Sequence, residues 1–237
     1  MINNIFSEFS YWLVLYPVIL FVLFMGLFYF LAVIRKKTVI ELETLLYEKQ
    51  DFKSYQLLLL SRHLKMIFTK AQIEIFRLNG WIFSGVESET NKSIAILDLM
   101  RLKPYEKLDF FQKRLTFFIE IQNEEQAKVT LDKLHDLLGT NKKPEAITIL
   151  EEADRIFNVY IKKDVTLIPS LQELAEKTKN KYVQGVCWFR IAKLSHFAKQ
   201  KSKVDYYLNM AKPALAGTYY EPIIEAALKD HAVLLTK

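Results

Sequence analysis

From Phe9 to Ile34 the chain runs twenty-six residues without a charge, FSYWLVLYPVILFVLFMGLFYFLAVI, and nothing else in it limits the fold so tightly. As a helix such a run is about 39 Å long at about 1.5 Å per residue, and roughly 20 residues suffice to cross a hydrocarbon core. Pro17 and Gly26 lie inside it, and membrane helices tolerate both. Tyr11, Trp12 and Tyr16 cluster at its leading end, where amphipathic rings favour the headgroup level. The run stops at Arg35-Lys36-Lys37. The pattern predicts one membrane-spanning helix over residues 9–34.

Charge asymmetry sets the expected orientation. Upstream of the run the one ionisable side chain is Glu8, whereas Arg35, Lys36 and Lys37 follow it directly. The bias of positive charge toward the cytoplasm then predicts a short outer N-terminus, residues 1–8, and a cytoplasmic remainder. A cleaved secretory leader would carry positive charge before a shorter apolar run and a small-residue cleavage site. None of these is present in the sequence.

Beyond residue 37 there remain 30 Lys+Arg against 26 Asp+Glu, with the signs interspersed. That is a mildly basic solvated surface, without the clustered cations of a nucleic-acid interface. Six glycines, six prolines and a single cysteine argue against Gly-rich phosphate loops, barrels, sandwiches and disulfide frameworks. Apolar residues instead recur at three and four, which predicts successive helices. They are expected over residues 38–49, 52–68, 69–85, 91–102, 104–121, 124–138, 145–161, 166–178, 181–199, 203–215 and 219–236. Pro104 suits a first turn, Asn123 and Ser202 are candidate caps, and Gly139 is a candidate stop. Short connections imply antiparallel hairpins.

A longer period is superimposed on these helices. Tyr55, Ser93, Ala127, Leu167 and Val204 stand at intervals of 38, 34, 40 and 37 residues, with Leu59, Leu97, Leu131, Leu171 and Leu208 four residues further on. Two helices per 34–40 residues is the spacing of an α-solenoid. The expected fold is therefore all-α: the spanning helix, then a right-handed α-solenoid of about five hairpins and a C-terminal capping helix. In domain terms these are a juxtamembrane segment 35–50, a repeat domain 51–218 and a cap 219–237.

The repeats resemble the tetratricopeptide family. One unit carries Trp188, Ile191-Ala192, Val204, Leu208 and Ala211, with Ser195 where the family has an aromatic. A second has Phe76, Gly80, Phe83, Ser93 and Leu97, and a third has Phe111, Phe118, Ala127 and Leu131 with Leu115 at the small position. The small residue lets paired helices approach closely, and stacking of hairpins supplies the core. The resemblance implies a groove lined by first helices, presenting Gln112, Lys113 and Thr116 from one hairpin and Phe189, Arg190, Lys193 and His196 from another. Such a mixture suits an acidic or C-terminal peptide.

Catalytic signals are sparse. His63, His135, His196 and His231 form no paired-ligand spacing, and no P-loop, dinucleotide fingerprint or nucleophile elbow occurs. Cys187 beside Trp188 reads as a buried thiol. Glu124-Glu125 and Glu151-Glu152 read as residues that favour helix N-termini or solvent. The expectation is a membrane-anchored scaffold or adaptor that is not an enzyme and needs no cofactor, metal or nucleic acid. A peptide-sensing regulator is the alternative, and a membrane-tethered enzyme a third.

Overall fold

The computed structural model describes the backbone of residues 2–141 and 143–236, and the side chains of residues 15–141 and 143–235. The predicted outer segment 1–8 and the rings of Tyr11 and Trp12 thus lie outside the described side chains. Every regular element among the described residues is helical. The chain forms two compact units, residues 1–106 and 107–237.

The first unit is built on α1, Ile2–Glu43, which continues through one wide π-type turn, Thr44–Glu48. Residues 15–32 are exposed without exception. At Arg35 the pattern changes, and Thr38, Leu42 and Leu46 are buried at a spacing of four, one side of a helix. Leu42 and Leu46 meet Tyr55 and Leu59 of α2 (Phe52–Leu60), Leu64 of α3 (Arg62–Ile67) and Ile73 of α4 (Lys70–Ser84) in one apolar cluster. Residues 35–50 are therefore part of a packed unit.

The single helix expected over residues 52–68 is two. Ser61 is extended at φ −62, ψ 146, and its hydroxyl accepts from Leu64 N at 3.2 Å, capping α3. A serine able to cap has here overridden an uninterrupted apolar pattern. Thr69 and Gln72 form a reciprocal capping box on α4, and Gly85 ends that helix at φ +69. Gly80 is small for a visible reason: an added Cβ would lie 2.6 Å from the ring of Tyr55. Helix α5, Glu87–Leu99, starts four residues before the expected 91. The buried Glu74 accepts from Ser93 Oγ at 2.8 Å, fixing the register of α4 against α5.

Helix α6, Pro104–Glu120, begins in the first unit and runs into the second. There follow α7 (Glu124–Leu138), capped by Asn123 as expected, and α8 (Pro144–Phe157). A π-type turn, Asn158–Lys162, and a 3-10 turn, Val165–Leu167, lead to α9 (Ile168–Lys177). Next are α10 (Lys181–Phe197) and α11 (Lys201–Ala214), then α12 (Tyr220–Lys229) and α13 (Val233–Thr236). Gln200, not Ser202, precedes α11, and its side chain makes no cap bond. The last expected helix is broken at Asp230, an extended residue that accepts from Ala232 N at 2.9 Å.

The core of this unit is centred on α10, where residues 185–195 are all buried. Val204, Leu208 and Ala211 of α11, Leu171 and Ala175 of α9, Ile224 and Ala227 of α12 and Leu234 of α13 pack in its cluster. Gly185 permits the approach of the segment after α11, since a Cβ there would lie 2.6 Å from Leu215 Cγ and 2.9 Å from Ala214 Cβ.

Candidate functional site

A helix buried on every side would ordinarily carry no charge, yet α10 carries Arg190 and Lys193 at 6% and 1% exposure. One turn separates them, so both project from the same side of α10. Arg190 Nη2 donates to Glu152 Oε1 of α8 at 2.6 Å, and Glu152 also pairs with Arg155. The remaining Nε of Arg190 is buried and finds no partner among the described residues. Burial pushes the Glu152 carboxyl up, but the hydrogen bond and charge of Arg190, with those of Arg155, outweigh it and hold the group below its ordinary 4.5.

Lys193 is held differently. Its ammonium donates to the Leu234 carbonyl near the end of the chain, and lies 5.1 Å from the ring centre of Tyr160 and 5.7 Å from that of Phe197. A carbonyl and two π faces stabilise a cation less fully than a carboxylate does. Burial, with the nearby charge of Lys163, accordingly lowers its pKa from 10.5 to about 8.

Both cations border a cavity of about 280 Å³. Thr116 and Glu120 of α6 stand on one side of it, and Tyr219, Tyr220 and Ile223 on another. Tyr219 is 60% exposed, so the cavity has an aromatic lip, while burial pushes the Tyr160 and Tyr220 hydroxyls well above the ordinary phenol range. The lining combines apolar walls, phenol hydroxyls, the Glu120 carboxylate and two cations, of which Arg190 is paired with Glu152 and Lys193 with a carbonyl. That chemistry suits a carboxylate or a small acidic side chain.

Of the seven residues the sequence assigns to a groove, Thr116, Arg190 and Lys193 share this cavity. Gln112 and Lys113 lie further along α6, Gln112 exposed and Lys113 paired with Asp109 at 3.0 Å. His196 lines a separate cavity of about 380 Å³ with Phe197, Val204 and Leu235. There its ring centre is 6.2 Å from that of His231, and burial, the neighbouring His231 and Lys193 lower its pKa. Phe189 is not a groove residue. It is fully buried, with its ring 5.1 Å from Tyr220, because α10 is enclosed on the side expected to face a partner.

Glu152, Tyr160 and Tyr220 were not anticipated from sequence. Glu152 has one signal: it lies 38 residues before Arg190, within the 34–40-residue period expected from the sequence. The two tyrosines have none, since Tyr160 lies in the π-type turn after α8 and Tyr220 is placed by the packing of α12 against the α10 cluster. Cys187 is buried as expected, and burial raises its thiol pKa. Among the described residues no group of three His, Cys, Asp or Glu is arranged to hold a metal.

A scan against known protein families, a search of characterised proteins and a search of solved structures find no match to this chain.

Proposed function

We propose that this chain is a single-pass membrane protein whose cytoplasmic helical domain docks protein partners beside the bilayer. The observation that carries the reading is the change of character along α1. Eighteen consecutive residues, 15–32, are exposed and uncharged, and the same helix then buries Thr38, Leu42 and Leu46 in the first unit. Water is a poor solvent for such a surface and a bilayer is a good one. An anchor continuous with a packed unit holds that unit at a fixed height, and confinement at the membrane raises the effective concentration of whatever it binds.

Long-period ties support a repeat domain of tetratricopeptide type. The hydrogen bonds Arg35–Gln72 and Thr69–Glu106 each span 37 residues, and Glu124–Lys162 and Glu152–Arg190 each span 38. Partners with acidic side chains or a free C-terminus fit the Arg190–Lys193 cavity.

Alkaline carbonate extraction tests the anchor: the chain should remain in the membrane pellet, and release into the wash would overturn the reading. Affinity purification of the full chain in mild detergent tests the docking role, with stoichiometric partners expected. Repeated isolation of the chain alone would count against it. Cysteines placed at positions 3 and 140 and labelled in intact cells test orientation, with reaction expected only at 3.

A further inference from the structure

The first unit has a membrane-proximal end that the spanning run alone does not reveal. Arg35, the first charge after that run, donates its Nε–H to the Ile67 carbonyl at 2.7 Å, and its guanidinium lies 5.4 Å from the ring centre of Phe68. The α3–α4 connection is therefore level with the point where α1 turns from apolar to charged. The α5–α6 connection joins it there. Thr69 Oγ1 donates to Glu106 Oε1 at 2.8 Å, and Glu106 Oε2 accepts from Lys103 N at 2.9 Å. The Glu74–Ser93 bond supplies an independent register: in an antiparallel pair with equal rise, Leu99 falls level with Phe68.

What stands exposed at that level is unusual. Leu99 and Met66, at 90% and 85%, are the most exposed large apolar residues among the described residues, more so than any over residues 15–34. Around them Arg62, Lys65, Arg101 and Lys103 are all exposed. Asp98 is the opposing exposed carboxylate of this stretch, and Glu106 is already engaged in capping. Apolar tips among cations describe a surface that enters a headgroup layer.

We propose that this end of the first unit seats on an anionic bilayer surface, with Met66 and Leu99 entering the boundary between headgroups and acyl chains and the four cations meeting lipid phosphates. The inference rests on α1 spanning the membrane. It adds a second attachment, which would fix the tilt of the unit and not merely its distance from the bilayer.

The test uses the full chain with Cys187→Ala as background, carrying Met66→Cys, Leu99→Cys or Val86→Cys labelled with an environment-sensitive fluorophore. Val86 lies at the opposite end of the α4–α5 hairpin and serves as the aqueous control. In vesicles of phosphatidylcholine with phosphatidylglycerol, and much less in phosphatidylcholine alone, labels at 66 and 99 should emit to the blue. Lipid-borne spin labels should quench them several-fold more than the label at 86. High salt, or neutralising Arg62, Lys65, Arg101 and Lys103 to Gln together, should remove the difference. Labels at 66 and 99 as wet as that at 86 in both lipids would overturn the proposal. So would shielding that ignores lipid charge and grows with protein concentration, which identifies a second copy as the cover. Carbonate extraction of the same samples separates the two readings: a chain washed off fails as a spanning protein, whereas a retained chain with wet labels loses only the seat.

Discussion

Helices α1 and α10 both lack a solvent-facing polar stripe, and they resolve that shared property in opposite ways. Over residues 15–32 α1 is exposed on every side, whereas over 185–195 α10 is buried on every side. The exposed helix carries no charge across residues 9–34, and the buried one carries two. A helix that is apolar all round requires a nonaqueous environment, but the source of that environment decides what else it can hold. Protein surroundings can supply a carboxylate at 2.6 Å to Arg190 and a carbonyl to Lys193. A bilayer interior can supply neither.

Removing the supplied partner should therefore have the largest effect. Glu152→Ala leaves the Arg190 guanidinium buried without its counter-ion. Because the Glu152 side chain is itself 39% exposed, the expected loss is about 2–4 kcal/mol, at or below that of a wholly buried pair. Circular dichroism melts of the full chain in detergent would measure it, and Arg190→Met in the same chain should recover at least half. The carboxylate is held below its ordinary 4.5, so the pair's contribution is complete above that pH and lost as pH falls through the lowered value. The deficit of the variant should shrink in acid accordingly. An unchanged melt would mean that α10 draws its tolerance of charge from elsewhere.

The same substitution on both helices sharpens the contrast. Gly185→Ala forces a Cβ against Leu215 and Ala214, and overpacking of this kind should cost about 1–3 kcal/mol. Gly26→Ala places its Cβ where no protein atom lies within 4 Å, so the melt should stay within about 0.5 kcal/mol of the parent. Equal effects at the two sites would dissolve the distinction between them.

Lys193 offers a change of opposite sign. Its folded pKa of about 8 lies below its ordinary 10.5, so the unfolded chain binds more protons across that window and stability rises with pH from about 8 to 10.5. Below 8 the burial penalty is present in full. The groups facing the ammonium are the Tyr160 and Phe197 rings, the Leu234 carbonyl and the like charge of Lys163. Lys193→Met removes the penalty and the bond to Leu234 together, leaving an expected net gain of about 1–2 kcal/mol at pH 7. That gain should vanish toward pH 10.5, and melts at pH 7 and 10 would decide the sign.

How far these features were legible in the sequence follows from what each depends on. The apolar run, Pro104 in a first turn and Asn123 as a cap are local facts, and local chemistry settles them. Ser61, Gln200 and Asp230 show where local chemistry misleads. A serine reads as solvent-facing until its hydroxyl is seen to cap α3, and Ser202 is the better cap on paper although the helix begins one residue before it. The site was half visible. Thr116, Arg190 and Lys193, assigned to one groove, line one cavity. Phe189 failed because no periodicity in α10 reveals that α12 covers it. Tyr160 depends on the π-type turn at Asn158–Lys162, and the local sequence there continues the preceding helix without a break signal.

The smallest expected change in stability is also the one that bears most directly on docking. Lys113 lies on α6 with its side chain 26% exposed, paired at 3.0 Å with Asp109, itself 46% exposed. A surface pair of this kind contributes at most about 0.5 kcal/mol, so Lys113→Glu should leave the melt of the full chain almost unmoved. Charge reversal at Lys193 would instead place a carboxylate among Tyr160, Phe197 and the Leu234 carbonyl and disrupt the core. The two lysines assigned to one groove by sequence are thus separable, Lys113 on the exposed side of α6 and Lys193 in the buried wall of the cavity. If an acidic partner runs along the exposed side of α6 toward the cavity at Thr116, Lys113→Glu should weaken its capture several-fold at low salt and much less at high salt, as screening removes the surface term. Capture that is unchanged at low salt would confine recognition to the cavity and withdraw Gln112 and Lys113 from the docking surface.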